Sequence, residues 1–329
     1  MNAPVRRLLL VHAHPDDETI GNGATMARYV AEGAGVTVLT ATLGEFGEII
    51  PAELAELEWD KGDQLGGYRM GELAAALTTL GVSDHRYLGG PGRFHDSGMI
   101  GTSGNDAPRS FWRAASDPAV FRAAVGAAVA VVRHVRPQVV VTYDPNGGYG
   151  HPDHVMAHRV TMAAVDAAAD PGFAVDPYLA GGSKSAVASP VWSVSKVYWN
   201  ALSGESLRRG LDALAADAAV PFQPFDAAEL SGAVDDELIT TVVDARDQLV
   251  AKTAALRAHA TQVRVVGPFF ALSNGRGMRI EGTEHYRLVR GVPGGPLDPQ
   301  GRETDLFGGL DLDDPALDAR PDPGAGPAG

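Results

Sequence analysis

Short apolar runs alternate with longer amphipathic stretches through the first half of the chain, the pattern of strand–helix units wound around a parallel sheet. Leu8 to Val11 reads as a buried strand entered through Arg6-Arg7. Thr25 to Glu32 has helical spacing and ends at Gly33, and Val36 to Thr42 is a β-branched second strand. Gln64 to Leu80 is helical and stops at Gly81, a suitable C-cap. A short strand near Arg86 to Leu88 leads into a glycine-rich segment, Gly89 to Asn105. Val120 to Val135 is an Ala/Val-rich helix, Val139 to Tyr143 a buried strand, and His154 to Ala169 a helix again.

The second half is less regular. Asp170 to Pro190, rich in Pro, Gly and Ser, reads as a connection. Lys196 to Leu202 and Glu284 to Val289 resemble strands, and Ala245 to Ala260 a helix. No internal repeat is visible. The pattern predicts a Rossmann-like, mostly parallel α/β sheet with helices on both faces, plus a smaller C-terminal α/β portion. Residues 1–170 are expected to form a metal-binding catalytic core, 171–292 to complete the substrate pocket, and 293–329 to be a disordered acidic Pro/Gly tail, too poor in large apolar residues to offset its ordering entropy.

Composition narrows this. At 329 residues, 45% hydrophobic and 21% charged, the chain can bury a large core. Its net charge of −14 argues against non-specific nucleic-acid or anionic-membrane binding, and part of that charge lies in the Asp-rich tail. Without cysteine there are no disulfides, thiolate zinc sites or thiol nucleophiles. The apolar run before His12 is too short for a signal peptide, and no stretch approaches the roughly 20 apolar residues of a membrane span. A cytoplasmic enzyme acting on a small molecule, with no obligate protein partner, is the expectation.

The chemistry concentrates in two places. His12-Ala13-His14-Pro15-Asp16-Asp17-Glu18 follows the first strand, and Tyr143 to His154, ending in His151-Pro152-Asp153-His154, follows the Val139 to Tyr143 strand. Ligands of open α/β sheets sit beyond the carboxyl ends of the strands, and imidazole with carboxylate suits zinc and similar ions. A polar turn with Asp16 or Asp17 as a helix N-cap is the plainer alternative, but two histidines and three acids within seven residues favour a metal. Pro152 suits a first helical turn, with His151 near the N-cap and His154 one turn on. His158, four residues beyond, offers a helical His pair on spacing alone and is better read as a partly buried or surface residue. Three protein ligands with one open position describe a catalytic ion, beside which a spare carboxylate, Asp16 or Asp153, can take a proton. A spare His or Tyr can stabilise an oxyanion.

These two motifs resemble those of the LmbE/PIG-L family of zinc-dependent N-deacetylases, which have a Rossmann-like fold with the metal at the strand ends. The likeness is closer to the subgroup that deacetylates N-acetylglucosaminyl-inositol in actinobacterial mycothiol biosynthesis. It runs through Asn22 to Thr25, Thr42 to Glu45, Asp63 to Arg69, Asp96 to Met99, Thr142 to His154 and Ala258 to Val263, and covers roughly residues 6 to 290. The resemblance implies His14, Asp17 and His154 as ligands of one zinc ion, with iron(II) suited to the same donors. It implies Asp16 as general base and His151 as oxyanion stabiliser oriented by Asp153. Tyr149 would polarise the acetyl carbonyl, and Arg69, Asp96 and Glu48 would lie against the sugar hydroxyls.

Several bland readings stand beside these. Arg69 can be a surface residue paired with Glu72, and Asp96 an Asx-turn. His259, His85 and His95 have no visible partner, and the four tryptophans read as core or rim. Asp311 to Asp314 lacks the spacing of a calcium loop. A nucleotide-binding module would need Gly-x-Gly-x-x-Gly where this chain has His-Ala-His-Pro-Asp-Asp. A two-metal phosphoesterase would need more bridging carboxylates. A conjugate amidase with the same metal motifs is the alternative within the resemblance.

Overall fold

The computed structural model describes residues 6–175, 190–225 and 232–312. Its main sheet takes the order β3-β2-β1-β4-β5-β11-β7. The strands are β1 (Arg7–His12), β2 (Gly35–Thr40), β3 (Asp84–Tyr87), β4 (Val139–Thr142), β5 (Lys196–Ser203), β7 (Thr241–Asp244) and β11 (Thr283–Arg290). The first five named are parallel, and β11 runs antiparallel to both β5 and β7. The short β6 (Ala233–Val234) pairs with β5, and β8 (Arg264–Val266), β9 (Phe269–Ala271) and β10 (Gly277–Arg279) form a separate antiparallel sheet. This is the expected mostly parallel α/β fold, with a smaller C-terminal part.

Because successive side chains of a strand point to opposite faces, the leucine run of β1 serves two cores. Leu9 and Val11, with Val140 of β4, pack against α3 (Pro118–Val135) and α5 (Pro152–Ala169). Leu8 and Leu10, with Val139 and Val141, pack against α1 (Asp17–Ala31), α2 (Leu65–Thr79) and the C-terminal α7 (Leu249–Ala258). Among the described residues the remaining α-helices are α4 (Gly147–Gly150), a single turn, and α6 (Gly204–Ala215). Asp117 caps α3 by accepting the Ala119 amide at 2.9 Å, and Pro118 opens it. On length and composition α3 is apolar enough to cross a membrane, which the sequence pattern did not flag; here Ala124, Val125, Ala128, Val129 and Val132 are buried in the core.

The strand order reverses beside β1. β2 lies on one side of it and β4 on the other, so the loops leaving β1 and β4 diverge and open a crevice at their carboxyl ends. Both His-Pro-Asp motifs leave from that edge.

Residues 293–312, read as part of a disordered tail, are packed. Leu306 and Phe307 are buried, and the Leu306 amide donates to Tyr29 Oη at 2.7 Å. Glu303 is also buried and accepts hydrogen bonds from Lys196 (2.5 Å), Tyr198 (3.0 Å) and Thr241 (2.9 Å). A few apolar side chains plus a fully partnered carboxylate suffice to order a segment whose composition alone argues against it. Residues 313–329, and residues 176–189 of the expected connection, lie outside the described residues.

Candidate metal centre

The first motif turns sharply out of β1. Asp16 precedes α1 with φ 121° and ψ −33°, in a region that L-residues other than glycine rarely enter. It occupies the N-cap position yet makes no side-chain cap bond. Instead its Oδ2 pairs with Arg69 at 3.0 Å, and its other oxygen takes no hydrogen bond among the described residues. Asp17, the first helical residue, turns the other way, and its Oδ2 accepts the His14 amide at 2.9 Å. In the second motif His151 is the N-cap of α5, its Nδ1 accepting the Asp153 amide at 3.1 Å, and Pro152 is the first helical residue. His154 follows one turn later, under the ring of Tyr143 at 4.3 Å between centroids.

The two motifs meet. Asp17 Oδ2 lies 3.4 Å from His14 Nδ1 and 3.4 Å from His154 Nε2, and those two nitrogens are 3.4 Å apart. Donors bound to one ion at about 2.0–2.1 Å in a tetrahedron stand about 3.3–3.4 Å from one another, so the triangle has the size of one face of a zinc-like site. His151 also brings a ring nitrogen within 4.8 Å of those of His14 and His154, and His14, Asp96 and Asp153 form a second such group.

His14 is held from behind. Its Nε2 faces Asp153 Oδ2 at 3.3 Å and Asp96 Oδ1 at 3.5 Å, which directs Nδ1 toward Asp17 and His154. A carboxylate on the far nitrogen of a ligating histidine fixes its ring and raises its basicity. The Asp153 side chain therefore braces His14 rather than orienting His151, as the resemblance had implied. Asp153 is wholly buried and also accepts Ser97 Oγ (2.5 Å) and the Ser97 amide (2.9 Å).

Burial, opposed by Arg69 and reinforced by Asp17, raises the Asp16 carboxyl to about 6. Burial and the neighbouring His14 and His154 push His151 down to about 3. A neutral His151 whose Nδ1 accepts a backbone amide carries its proton on Nε2, leaving a hydrogen-bond donor. Asp17 is held well below the usual carboxylate range, because His154 and His14 override the effect of burial.

The expected substrate contacts fall differently. Arg69 is buried, donating to Gly44 O, Pro15 O and Asp16, and does not pair with Glu72, which holds Thr261. A Cβ on Gly44 would run into the Arg69 guanidinium, so that glycine is needed for the close approach. Asp96 accepts the Phe46 and Gly98 amides at 3.1 and 2.8 Å, tying two loops beneath His14. Both residues are committed to protein groups, so their first task is to shape the site. Glu48 is exposed on the loop after β2. Tyr149 is 54% exposed, its ring 5.1 Å from that of His154. His12 bonds Asn22 and Tyr143, and His158 bonds Tyr143 O, so neither faces the triangle.

All three histidines that the sequence left without a partner have one: His85 Nε2 lies 3.1 Å from Thr40 Oγ1 and His95 Nδ1 lies 3.0 Å from Asp96 O. His259, distant in sequence and without a visible partner there, is fully buried, with Nε2 3.0 Å from Glu18 Oε1. Glu18 Oε2 in turn accepts the Asp16 amide at 2.9 Å. The stretch Ala258 to Val263 carried the signal, since it shares the resemblance with the metal motifs.

Comparison with known proteins gives the family. Residues 9–165, which contain both motifs, match the family model for PIG-L, GlcNAc-PI de-N-acetylase. A 1D-myo-inositol 2-acetamido-2-deoxy-alpha-D-glucopyranoside deacetylase from Geodermatophilus obscurus is 59% identical over 309 residues, 93% of this chain and 99% of that one. The chain belongs to the PIG-L family. It is a metal-dependent N-deacetylase, a hydrolase of amides. A protein of the same name from Streptomyces griseus is 53% identical, over 93% of this chain and 90% of its own.

Among solved structures the family fold recurs in the N,N'-diacetylchitobiose deacetylase of Pyrococcus horikoshii (18% identity, TM-score 0.51, covering 88% of this chain and 84% of that one). It recurs also in the 4-carboxy-2-hydroxymuconate hydratase of Pseudomonas putida (17%, 0.52, 89% and 100%). A fold shared with a hydratase does not decide the reaction, and the site must.

Proposed function

We propose that this chain hydrolyses the N-acetyl amide of N-acetylglucosaminyl-inositol, the deacetylation step of mycothiol biosynthesis, releasing acetate and the free amine. His14, Asp17 and His154 hold one zinc ion per chain, and iron(II) suits the same donors. The observation that carries the reading is the His14–Asp17–His154 triangle with a high-pKa carboxylate, Asp16, beside it. Relatives 59% and 53% identical, each a 1D-myo-inositol 2-acetamido-2-deoxy-alpha-D-glucopyranoside deacetylase, point to the substrate.

When bound, the ion supplies Lewis acidity to a water and to the acetyl carbonyl. Asp16 takes the proton from the attacking water and returns it to the leaving amine. Arg69 pins Asp16 Oδ2 and leaves the other oxygen free for that proton. The Nε2–H of His151 donates to the oxygen that gains negative charge as the carbonyl carbon becomes tetrahedral. The exposed Tyr149, on its glycine-flanked turn, adds a second donor from the solvent side. Residues 1–170 supply the catalytic groups and residues 171–292 complete the pocket, with the exposed Glu48 on the sugar side and the buried Arg69 and Asp96 shaping the site behind it.

Metal analysis of the purified protein, joined to amine release from N-acetylglucosaminyl-inositol, tests the reading. One metal ion per chain and acetate-equivalent amine release are expected. A metal-loaded protein that frees no amine from any N-acetyl amino sugar overturns it, and so does conjugate amidase turnover far above deacetylation.

A further inference from the structure

Asp16 has an unfavourable backbone and a carboxylate that must stay aimed. Its carbonyl is fixed by the Thr19 and Ile20 amides at 3.0 and 2.9 Å, which any helix start provides. Its amide is fixed by something less ordinary, the buried carboxylate of Glu18, two residues ahead. That carboxylate is itself held on its other oxygen by Thr19 Oγ1 at 2.5 Å and by His259 Nε2 at 3.0 Å. Glu18, Thr19 and His259 are all fully buried, and no substrate can touch them.

His259 is fixed in its turn. It follows α7, its carbonyl accepts the Gln262 and Val263 amides at 3.0 and 2.8 Å, and Thr261 is gripped by Glu72 of α2 at 2.8 and 2.6 Å. Its Nδ1 has no hydrogen-bond partner among the described residues, so Nε2 is the nitrogen the fold uses. A buried ion pair adds little stability over apolar side chains of the same volume. What such a pair supplies well is direction, because both partners lose their hydrogen bonds if either turns.

We propose that Glu18 and His259 are positioning residues for catalysis: the pair clamps the Asp16 amide, keeps that residue in its left-handed backbone geometry, and so aims the carboxylate at the reacting water. The inference rests on Asp16 being the base. It makes the turn 259–262 the C-terminal half's direct contribution to the rate, made through Asp16 rather than through the substrate.

A double-mutant cycle on the metal-loaded full chain separates this from a purely structural role. Glu18→Ala is expected to lower kcat by about 10- to 100-fold, the cost of a misplaced catalytic group, with KM and metal content unchanged. In an Asp16→Ala background the same change is expected to cost nothing further, since there is no carboxylate left to aim. If Glu18→Ala does not fold, His259 serves. His259→Gln keeps an N–H within reach of Glu18 and should hold near wild-type kcat, whereas His259→Leu should lose the factor. Equal kcat for Gln and Leu, or an undiminished Glu18→Ala loss on top of Asp16→Ala, overturns the proposal. Full activity in Asp16→Ala itself would instead sink the base assignment.

Discussion

His14-Pro15-Asp16-Asp17 and His151-Pro152-Asp153-His154 share their first three residues, leave neighbouring parallel strands, and are each followed by a helix. The helices start at different places within them. In the second motif the helix begins at Pro152, so Asp153 lies inside its first turn and is buried against Ser97 and His14. In the first motif it begins at Asp17, so Asp16 stays outside, at φ 121°, with one oxygen on Arg69 and the other free. On the proposed mechanism, a shift of two positions in helix start separates a supporting aspartate from the general base. In both, the fourth residue projects onto the shared triangle.

The largest effects should come from that fourth position. Asp17→Ala and His154→Ala are expected to lose bound metal and to cut amine release by about 10³-fold or more, since the ion supplies the Lewis acidity. Elemental analysis beside the rate checks this, and full metal content in Asp17→Ala would remove it from the ligand set. The third position should then split the motifs. Asp16→Ala is expected to keep its metal and lose about 10²- to 10⁴-fold in kcat, the range for a general base. Asp153→Asn is expected to weaken metal binding by about 10- to 100-fold while kcat at saturating metal stays near wild type, as befits a carboxylate behind a ligating histidine. If both variants lose metal equally, the two aspartates do one job and the comparison collapses.

A pH profile sharpens the same contrast. As the proposed base, Asp16 would work only when ionised, so kcat/KM should fall tenfold per unit below its pKa. Burial places that value at about 6 without a metal, and a nearby cation favours the ionised form, so the acid limb belongs at or below about 6. Arg69 opposes the upward shift, and Arg69→Met is expected to move the limb to higher pH. Asp153→Asn should leave the limb where it is. An unmoved limb in Arg69→Met would mean that another group controls it.

Much of this was legible in the chain. The leucine run of β1 and the valine run of β4 announce buried strands, and two His-Pro-Asp turns at strand ends announce a metal site. The different settings of Asp16 and Asp17 were not legible from spacing, since either carboxylate could face a metal; they depend on a backbone angle that no residue type declares. The brace on His14 was hidden too, because Asp153 adjoins His151 in sequence and His14 only in space. His259 and the ordered 293–312 segment share that reason. A buried polar residue is recognisable by its partners, and those of His259 and Glu303 come from strands and helices far along the chain. The resemblance could point to His259, which periodicity could not.

The smallest expected effect tests the backbone claim by itself. Gly and Ala both delete the carboxylate, so comparing them at one site cancels its loss and leaves the main-chain preference. At Asp16 the left-handed backbone penalises any Cβ, and Asp16→Gly should be more stable than Asp16→Ala by about 1 kcal/mol. At Asp153, inside the first turn of α5, the helix favours Ala, and the order should reverse by about 0.5–1 kcal/mol. Urea midpoints for the four variants at equal m-values give the two differences directly. Opposite signs mean that the two His-Pro-Asp turns differ in backbone and not merely in neighbours. The same sign at both sites would show that Asp16 relaxes out of its strained angle, and the aim of its carboxylate would then need another cause.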